Sequence, residues 1–466
     1  MSLFFSLLSF LYLFRYMEKK KTAPLIFAGL FYFSALMFKE TAVPMLVIFP
    51  LLLYFFTAAE KKDYLKVMMI MGAALIIQLA IRTQVLENQT GLSAAFLKTH
   101  NSLLAAGSFG EKTASIMMIL ARYLLLLFFP YPLSSDYSFN QVALVNWNSP
   151  WAFLSFIVYA GLVLICVLRF RKKEAWVFGI IFYLVSMALF SNIFIMIGAT
   201  IGERFLYTPS FGFCIAVVSL LALLAERKKN TPMLSFFPSI RFYNITVLII
   251  VLAAIPASFK IIDRNKDWKN NSVLFSTDIK KSPNSAPENY WYAQDIMVSR
   301  ALTQKDTILK RHMLDTAMIY LDNAIAIYPD YGDAYSLRGL ANLRLGRTNE
   351  AVADYYKAIY YDAAKWSDYN NLGIYYGQRN MLDSSIYCFN RAIKLDASQP
   401  LLQKNLGSIF EFKQDYAAAI GLYQKALALN ENKNQSLQKE IYSHLANCYR
   451  QTGDISNANY YQQLNR

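Results

Sequence analysis

Histidine and cysteine are scarce, with three of one and four of the other in 466 residues. His100, His312 and His444 are scattered and no cysteines share a ligand spacing, which excludes a His/Cys metal cluster and a disulfide framework. A divalent metal held by carboxylates is not excluded on those grounds. Cys166 and Cys214 fall in apolar runs, Cys388 and Cys448 in helix-patterned sequence, and all four read as small core residues. Charge is also sparse at 17%, against 56% hydrophobic residues, 15% aromatics and a mean hydropathy of +0.27. That balance points to a membrane protein with a soluble portion.

The two portions separate near Ile262. Residues 1–262 are apolar runs broken by short charged loops, whereas 263–466 is polar, helix-patterned and lacks any spanning run. The net charge of +15 follows the same division: 22 Lys/Arg stand against 10 Asp/Glu in 1–262, and 24 against 21 beyond. In the first portion the excess falls in short clusters, "RYMEKKK", "EKKDYLK", "RFRKKE" and "ERKKN", as cytoplasmic loops do under the positive-inside rule. No single basic face emerges, so nucleic acid is not an expected partner and membrane lipid is.

Nine apolar runs are candidate spans: 3–14, 24–38, 41–56, 65–81, 113–130, 151–168, 175–196, 205–225 and 243–262. With the basic clusters inside, Lys39-Glu40, "PYPLSSDYSFN" (130–140) and "GERFLYTPS" share the outer face, and the soluble half follows them outward. The count carries a parity fault, because 113–130 would have to enter and leave by one face. A re-entrant or interfacial helix in that run, or in the loop 82–112, resolves it.

The soluble half repeats every 34 residues. Gly339, Gly373 and Gly407 keep that spacing, as do Ala324, Ala358, Ala392 and Ala426. Small residues where two helices cross, with aromatics between, form the tetratricopeptide pattern. The expected organisation is a polytopic membrane domain over 1–262, a linker over 263–290 with a short helix near Trp268 to Ile279, and a solenoid of about five helix pairs over 291–466. The fold class is all-α. Tyrosines such as Tyr335, Tyr355, Tyr356, Tyr369, Tyr376, Tyr387 and Tyr423 read mainly as packing residues.

Six residues are candidates for chemistry. Glu203 and Arg204 stand at the mouth of an apolar run, where a guanidinium is suited to a phosphate or diphosphate, an adjacent Glu can orient it, and Tyr207 adds a hydroxyl one turn on. The same pair can equally anchor a helix end in the headgroup region. Lys39 and Glu40, in a tight turn between two apolar runs, offer either a cationic site at that face or ordinary turn charges. Asp136 in "PLSSDYSFN" is a base, a metal ligand, an acceptor-site residue or an Asp in a turn.

"LMFKETAVPML", "FFPYPLSSDYSFN" and "GERFLYTPSFGFC", followed by a last apolar run and tetratricopeptide repeats, resemble the transmembrane and TPR-containing O-mannosyltransferase-like proteins of the GT-C glycosyltransferase superfamily. The resemblance implies a GT-C-like helix bundle that transfers a sugar, often mannose, from a polyprenyl-phosphate carrier to a protein or glycan acceptor outside the membrane. It implies Arg204, Glu203, Tyr207, Lys39 and Glu40 near the carrier phosphate, and repeats that bind the acceptor or a partner. The acidic catalytic residue of this superfamily lies in a first long extracytoplasmic loop, which this chain is expected to lack, so no base is assigned. The expected setting is a bacterial inner membrane with the repeats outside. The alternative is a non-catalytic, membrane-anchored TPR scaffold.

Overall fold

The computed structural model describes residues 1–86, 99–226, 240–431 and 434–465. All regular structure among them is helical, and the chain divides into two compact units, Met1–Glu288 and Asn289–Arg466.

In the first unit the apolar runs become the helices Ser2–Lys19, Thr22–Phe38, Met45–Phe56, Lys61–Leu86, Phe109–Phe128, Pro150–Arg169, Ala175–Ala188, Tyr207–Glu226 and Ile240–Asp267. Among the described residues three stretches, Lys61–Val85, Pro150–Lys172 and Glu203–Leu223, are long and apolar enough to cross a membrane, and Thr22–Phe38, Glu40–Phe56 and Ala175–Ala188 are shorter apolar helices. Side chains such as Phe153, Leu154, Ile157, Leu164 and Leu168 are exposed along Pro150–Arg169, an apolar surface that water would penalise. The cluster "ERKKN" beyond Glu226 and part of the loop 82–112 fall on residues outside those described.

Aromatic packing fills the first core, where Tyr32 meets Phe49 edge-on at 5.0 Å between centroids and both are wholly buried. A second contact fixes the later helices. Gly179 and Gly212 let Ala175–Ala188 and Tyr207–Glu226 touch backbone to backbone: a Cβ on Gly179 would lie 2.4 Å from Ala216 N, and one on Gly212 2.6 Å from Tyr183 N. Small residues at a crossing are how apolar helices approach when no water is expelled to drive them together. The short turn Glu203–Leu206 leads directly into the second helix of this pair. Cys214, expected in the core, lies exposed on this helix, while Cys166, Cys388 and Cys448 are buried; an apolar run that faces outward on one side has no reason to bury every thiol.

Residues 263–288, expected as part of a linker, pack into the first unit. The helix Asn271–Asp278 forms near the expected place, capped by the Asn270 side chain on Val273 N. Loop and linker are zipped together, Asn140 N donating to Asn284 O at 3.0 Å.

The second unit stacks helix pairs: Gly332–Arg344 with Thr348–Tyr360, Trp366–Gln378 with Leu382–Leu395, Pro400–Phe412 with Tyr416–Asn430, and Gln435–Gln451 with Ile455–Leu464. The 34-residue glycine period has a direct steric cause. Gly339, Gly373 and Gly407 each face a ring sixteen residues on, Tyr355, Phe389 and Tyr423, where a Cβ would meet ring atoms at 2.8 Å. Before these pairs, Thr307–Ile327 packs on a π-helical turn, Asp295–Ala301. The tyrosines divide: Tyr335, Tyr355, Tyr369 and Tyr423 are buried, while Tyr356 and Tyr387 are exposed.

Candidate functional site

Three non-helical or short-helical segments of the first unit, 99–105, 130–149 and 189–206, meet the stretch 263–288, which begins as the last turn of the helix Ile240–Asp267, in one polar layer. Their composition explains the meeting. Ser, Asn, Thr and Asp compete with the backbone for local hydrogen bonds, which disfavours helix and lets side chains pair across segments.

Asn101, Ser102 and Thr200 make the first junction. Asn101 Nδ2 donates to Asn192 Oδ1 at 3.1 Å and to Ile197 O at 2.7 Å, and Ser102 N donates to Thr200 Oγ1 at 2.8 Å. Asn192 has a φ of 57°, a left-handed conformation that Asn tolerates. Phe139 N then donates to Thr99 O at 3.0 Å and joins the next loop.

Glu203 clamps that loop. Its Oε1 accepts from Ser134 N at 2.7 Å and from the buried Tyr137 hydroxyl at 2.6 Å. Among the described residues it makes no ion pair with Arg204, contrary to the expectation that it orients the guanidinium. Successive side chains of a 3-10 turn diverge by about a third of a turn, so the two neighbours face different ways. Arg204 is exposed, lies over the Phe205 ring at 5.2 Å and has no carboxylate partner among the described residues. Tyr207 is exposed one turn on.

Asp136 is half-buried and engaged. Its Oδ2 accepts from Ser138 N at 2.9 Å and from Ser285 Oγ at 2.7 Å, and the Ser138 hydroxyl binds Oδ1. Ser282 Oγ bridges Ser134 Oγ at 2.9 Å and Asp136 O at 3.0 Å. Below it the wholly buried Asp278 takes Arg264 in a two-pronged pair at 2.6 and 2.8 Å and accepts from Ser135 N at 2.7 Å. Burial alone would raise the Asp278 carboxyl, but the Arg264 and Ser135 hydrogen bonds outweigh it and hold it below the ordinary range. Lys281 completes the group, 2.9 Å from Asp267 and 3.3 Å from Asp278.

Glu288 is different. It is wholly buried, and neither carboxylate oxygen has a hydrogen-bond partner among the described residues. Burial, with Asp136 and Asp278 nearby, pushes it up to about 9, so it holds a proton at neutral pH.

Lys39 and Glu40 stand apart from these contacts. Both are exposed; Glu40 pairs with Arg82 at 2.7 Å, and the two line a cavity of about 490 Å³ with Gln78 and Arg82. Among the described residues no group of three or more His, Cys, Asp or Glu side chains is disposed to hold a metal ion.

The layer therefore contains three of the sequence candidates, Asp136, Glu203 and Arg204, and many residues that sequence reasoning passed over. Arg264, Asp278, Ser282, Ser285 and Glu288 all lie in the stretch read as a linker. The available signal was the i,i+3 pair Arg264 and Asp267 at the end of an apolar run, followed by the Ser/Asn-rich "SPNSAPEN". Asn101, Asn192 and Thr200 left no signal of spacing.

Residues 315–369 and 370–436 match the tetratricopeptide repeat family model. The mouse protein O-mannosyl-transferase TMTC1 is 30% identical over 181 residues, 38% of this chain and 18% of that protein. The Caenorhabditis elegans protein O-mannosyl-transferase F38B6.6 is 26% identical over 42% of this chain and 26% of its own length. Human TMTC3 is 22% identical over 393 residues, 79% of this chain and 39% of that protein, a match longer than the second unit that must extend into the first. The chain spans about a fifth to two fifths of these relatives' lengths. Among solved structures, YrrB, described as a TPR protein with an unusual peptide-binding site, is 13% identical with a TM-score of 0.33, covering 41% of this chain and 89% of that one. A crystal structure of MamA is 18% identical with a TM-score of 0.32, covering 38% and 90%. The second unit is thus a tetratricopeptide solenoid, carried by a chain that is similar in sequence to protein O-mannosyl-transferases.

Proposed function

We propose that the chain is a membrane glycosyltransferase-like protein that transfers a sugar, mannose being the first candidate, from a polyprenyl-phosphate carrier to a protein or glycan acceptor on the extracytoplasmic side. Arg204 carries this reading. It is an exposed guanidinium without a carboxylate partner among the described residues, at the N-terminal mouth of the apolar helix Tyr207–Glu226. A helix N-terminus and a free guanidinium both favour an anion there. In the reading proposed here Arg204 and Tyr207 bind the carrier phosphate, and Glu203 holds the loop that carries Asp136. Lys39 and Glu40 contribute a second charged cavity at the same membrane face. Asp136 serves the acceptor side. The solenoid binds the acceptor or an assembly partner.

The similarity to protein O-mannosyl-transferases supports the reaction class, and the GT-C type of bundle goes with it. The long apolar helices and compact loops suit a bacterial inner membrane, with the repeats extracytoplasmic. Chemically the step needs cations that stabilise the departing phosphate and a base for the acceptor hydroxyl. The test is sugar transfer in vitro from a polyprenyl-phosphate mannose donor, comparing the parent with Arg204→Ala. A loss of about a hundredfold is expected for removal of one charge-stabilising group. Transfer at the parent rate would end the phosphate role given to Arg204.

A further inference from the structure

The helix Phe109–Phe128 is held at both ends to a single side of the long apolar helices. Near its start, Trp147 Nε1 donates to Thr113 Oγ1 at 3.2 Å and Val145 N to Ser115 Oγ at 2.9 Å, just before the helix Pro150–Arg169 begins. Near its end, Gly202 N donates to the Tyr123 hydroxyl at 3.0 Å, just before Tyr207–Glu226 begins. Pro150–Arg169 runs away from that level, the short turn Phe170–Lys172 reverses the chain, Ala175–Ala188 returns, and Tyr207–Glu226 departs again. Residues 147 and 202 therefore lie at the same side, and the helix is tied to both; between these ties its inner face packs on the spans, Leu120 O accepting from the Tyr159 hydroxyl at 3.1 Å.

Its outward face is built for an amphipathic anion. Arg122, Leu125 and Phe129 are exposed at spacings of three and seven and line a cavity of about 250 Å³ with Tyr131, Tyr137 and Gln141. Arg122 has no carboxylate partner among the described residues. Lys260 Nζ stands 4.7 Å over the ring of Tyr131, one of the residues that line this cavity. An unpaired Arg beside exposed leucine and phenylalanine is costly unless phosphates are within reach.

We propose that Phe109–Phe128 lies in the headgroup layer and that Arg122, assisted by Lys260 and Tyr131, binds the phosphate of a membrane lipid whose chain runs along Leu125 and Phe129. The site is separate from Arg204 and its test needs no turnover, so its failure would leave the transfer reading untouched, and the reverse also holds. Three ligands distinguish the source: phosphatidylglycerol, a long-chain polyprenyl phosphate and inorganic phosphate, each added to the full chain in neutral detergent and followed by native mass spectrometry. One or both lipids should be retained, inorganic phosphate should not displace them, and Arg122→Gln should weaken retention about tenfold, as for one lost charge-assisted hydrogen-bond pair. Arg122→Lys should keep part of the affinity, and thermal unfolding of both variants should match the parent because the side chain is exposed. Retention unchanged in Arg122→Gln and in Lys260→Gln, or saturation by inorganic phosphate alone, would overturn the proposal. In a Cys214→Ser background, Gly110→Cys and Pro130→Cys should react with an impermeant maleimide from one side of sealed vesicles. Labelling from opposite sides would make the helix a span and sink the idea.

Discussion

The Tyr137 hydroxyl lies 2.6 Å from Glu203 Oε1, so one short hydrogen bond joins the loop 130–149 to the turn that presents Arg204. Sixty-six residues separate the two in sequence. The ring is buried, the carboxylate also accepts from the Ser134 amide at 2.7 Å, and the hydroxyl lies 2.9 Å from Pro132 O, so the contact sits inside a small buried network.

Tyr137→Phe should therefore destabilise the first unit by about 1.5–3 kcal/mol, the range for a hydrogen bond to a charged partner. Thermal unfolding in detergent measures it, with Tyr131→Phe as the exposed control. Equal melting of both variants would mean that the bond does not hold the loop.

Glu288 should make stability depend on pH. Its carboxyl is raised from an ordinary value of 4.5 to about 9 by burial and by Asp136 and Asp278. Below 4.5 the folded and unfolded forms are both protonated there, and no cost arises. As pH rises from 4.5 the unfolded chain releases the proton and the folded chain keeps it, so the folded state loses stability up to about pH 9. Glu288→Gln removes the effect and should melt higher than the parent at neutral pH, by an amount on the order of 2 kcal/mol, with the difference vanishing near pH 4.5. A constant difference across that window would show that Glu288 does not carry the proton.

Two glycines of the solenoid should respond in opposite directions to alanine. At Gly373 a Cβ would meet the buried Phe389 ring at 2.8 Å, and overpacking of this kind costs about 1–3 kcal/mol. At Gly421, inside Tyr416–Asn430, a Cβ meets nothing within 4 Å, and alanine should stabilise the helix by about 0.5–1 kcal/mol. Urea unfolding of Gly373→Ala and Gly421→Ala, followed by circular dichroism, gives both signs in one experiment.

Glu411 ties the last two helix pairs together. It accepts from the Tyr423 hydroxyl at 2.6 Å, His444 Nδ1 at 2.8 Å and Asn447 Nδ2 at 2.7 Å. Burial would raise its carboxyl, but the hydrogen bonds from His444, Tyr423 and Asn447 prevail and lower it to about 2. Its contribution is fully present above the ordinary 4.5 and is lost as pH falls towards 2. Glu411→Gln should cost about 1–2 kcal/mol at neutral pH, discounted for partial exposure, and progressively less below 4.5 as the parent itself protonates. A cost that does not shrink in acid would point to packing instead of charge.

Much of this fold was legible because its rules are local and periodic. Apolar runs are legible since each needs only its own composition, and the 34-residue spacing of Gly339, Gly373 and Gly407 is legible since each glycine answers a ring at a fixed distance along the chain. The Cys214 position shows the limit: apolar sequence does not say which side of a helix faces outward. The stretch 263–290 shows another, where Ser, Asn and Pro suit a free linker and a hydrogen-bonded cap equally well.

By itself the sequence determined the helical character of the chain, the repeat and the loops 130–140 and 201–209 as places rich in polar side chains. Those properties depend on residues close in the chain. Only the tertiary structure decided that Glu203 turns to Tyr137 instead of Arg204, that Arg264 and Asp278 close beneath Ser135, that the buried Glu288 carboxylate has no hydrogen-bond partner among the described residues, and that Phe109–Phe128 bonds to Val145, Trp147 and Gly202. Each of these depends on contacts between distant segments, where burial and the direction of a side chain are set by packing that no spacing encodes.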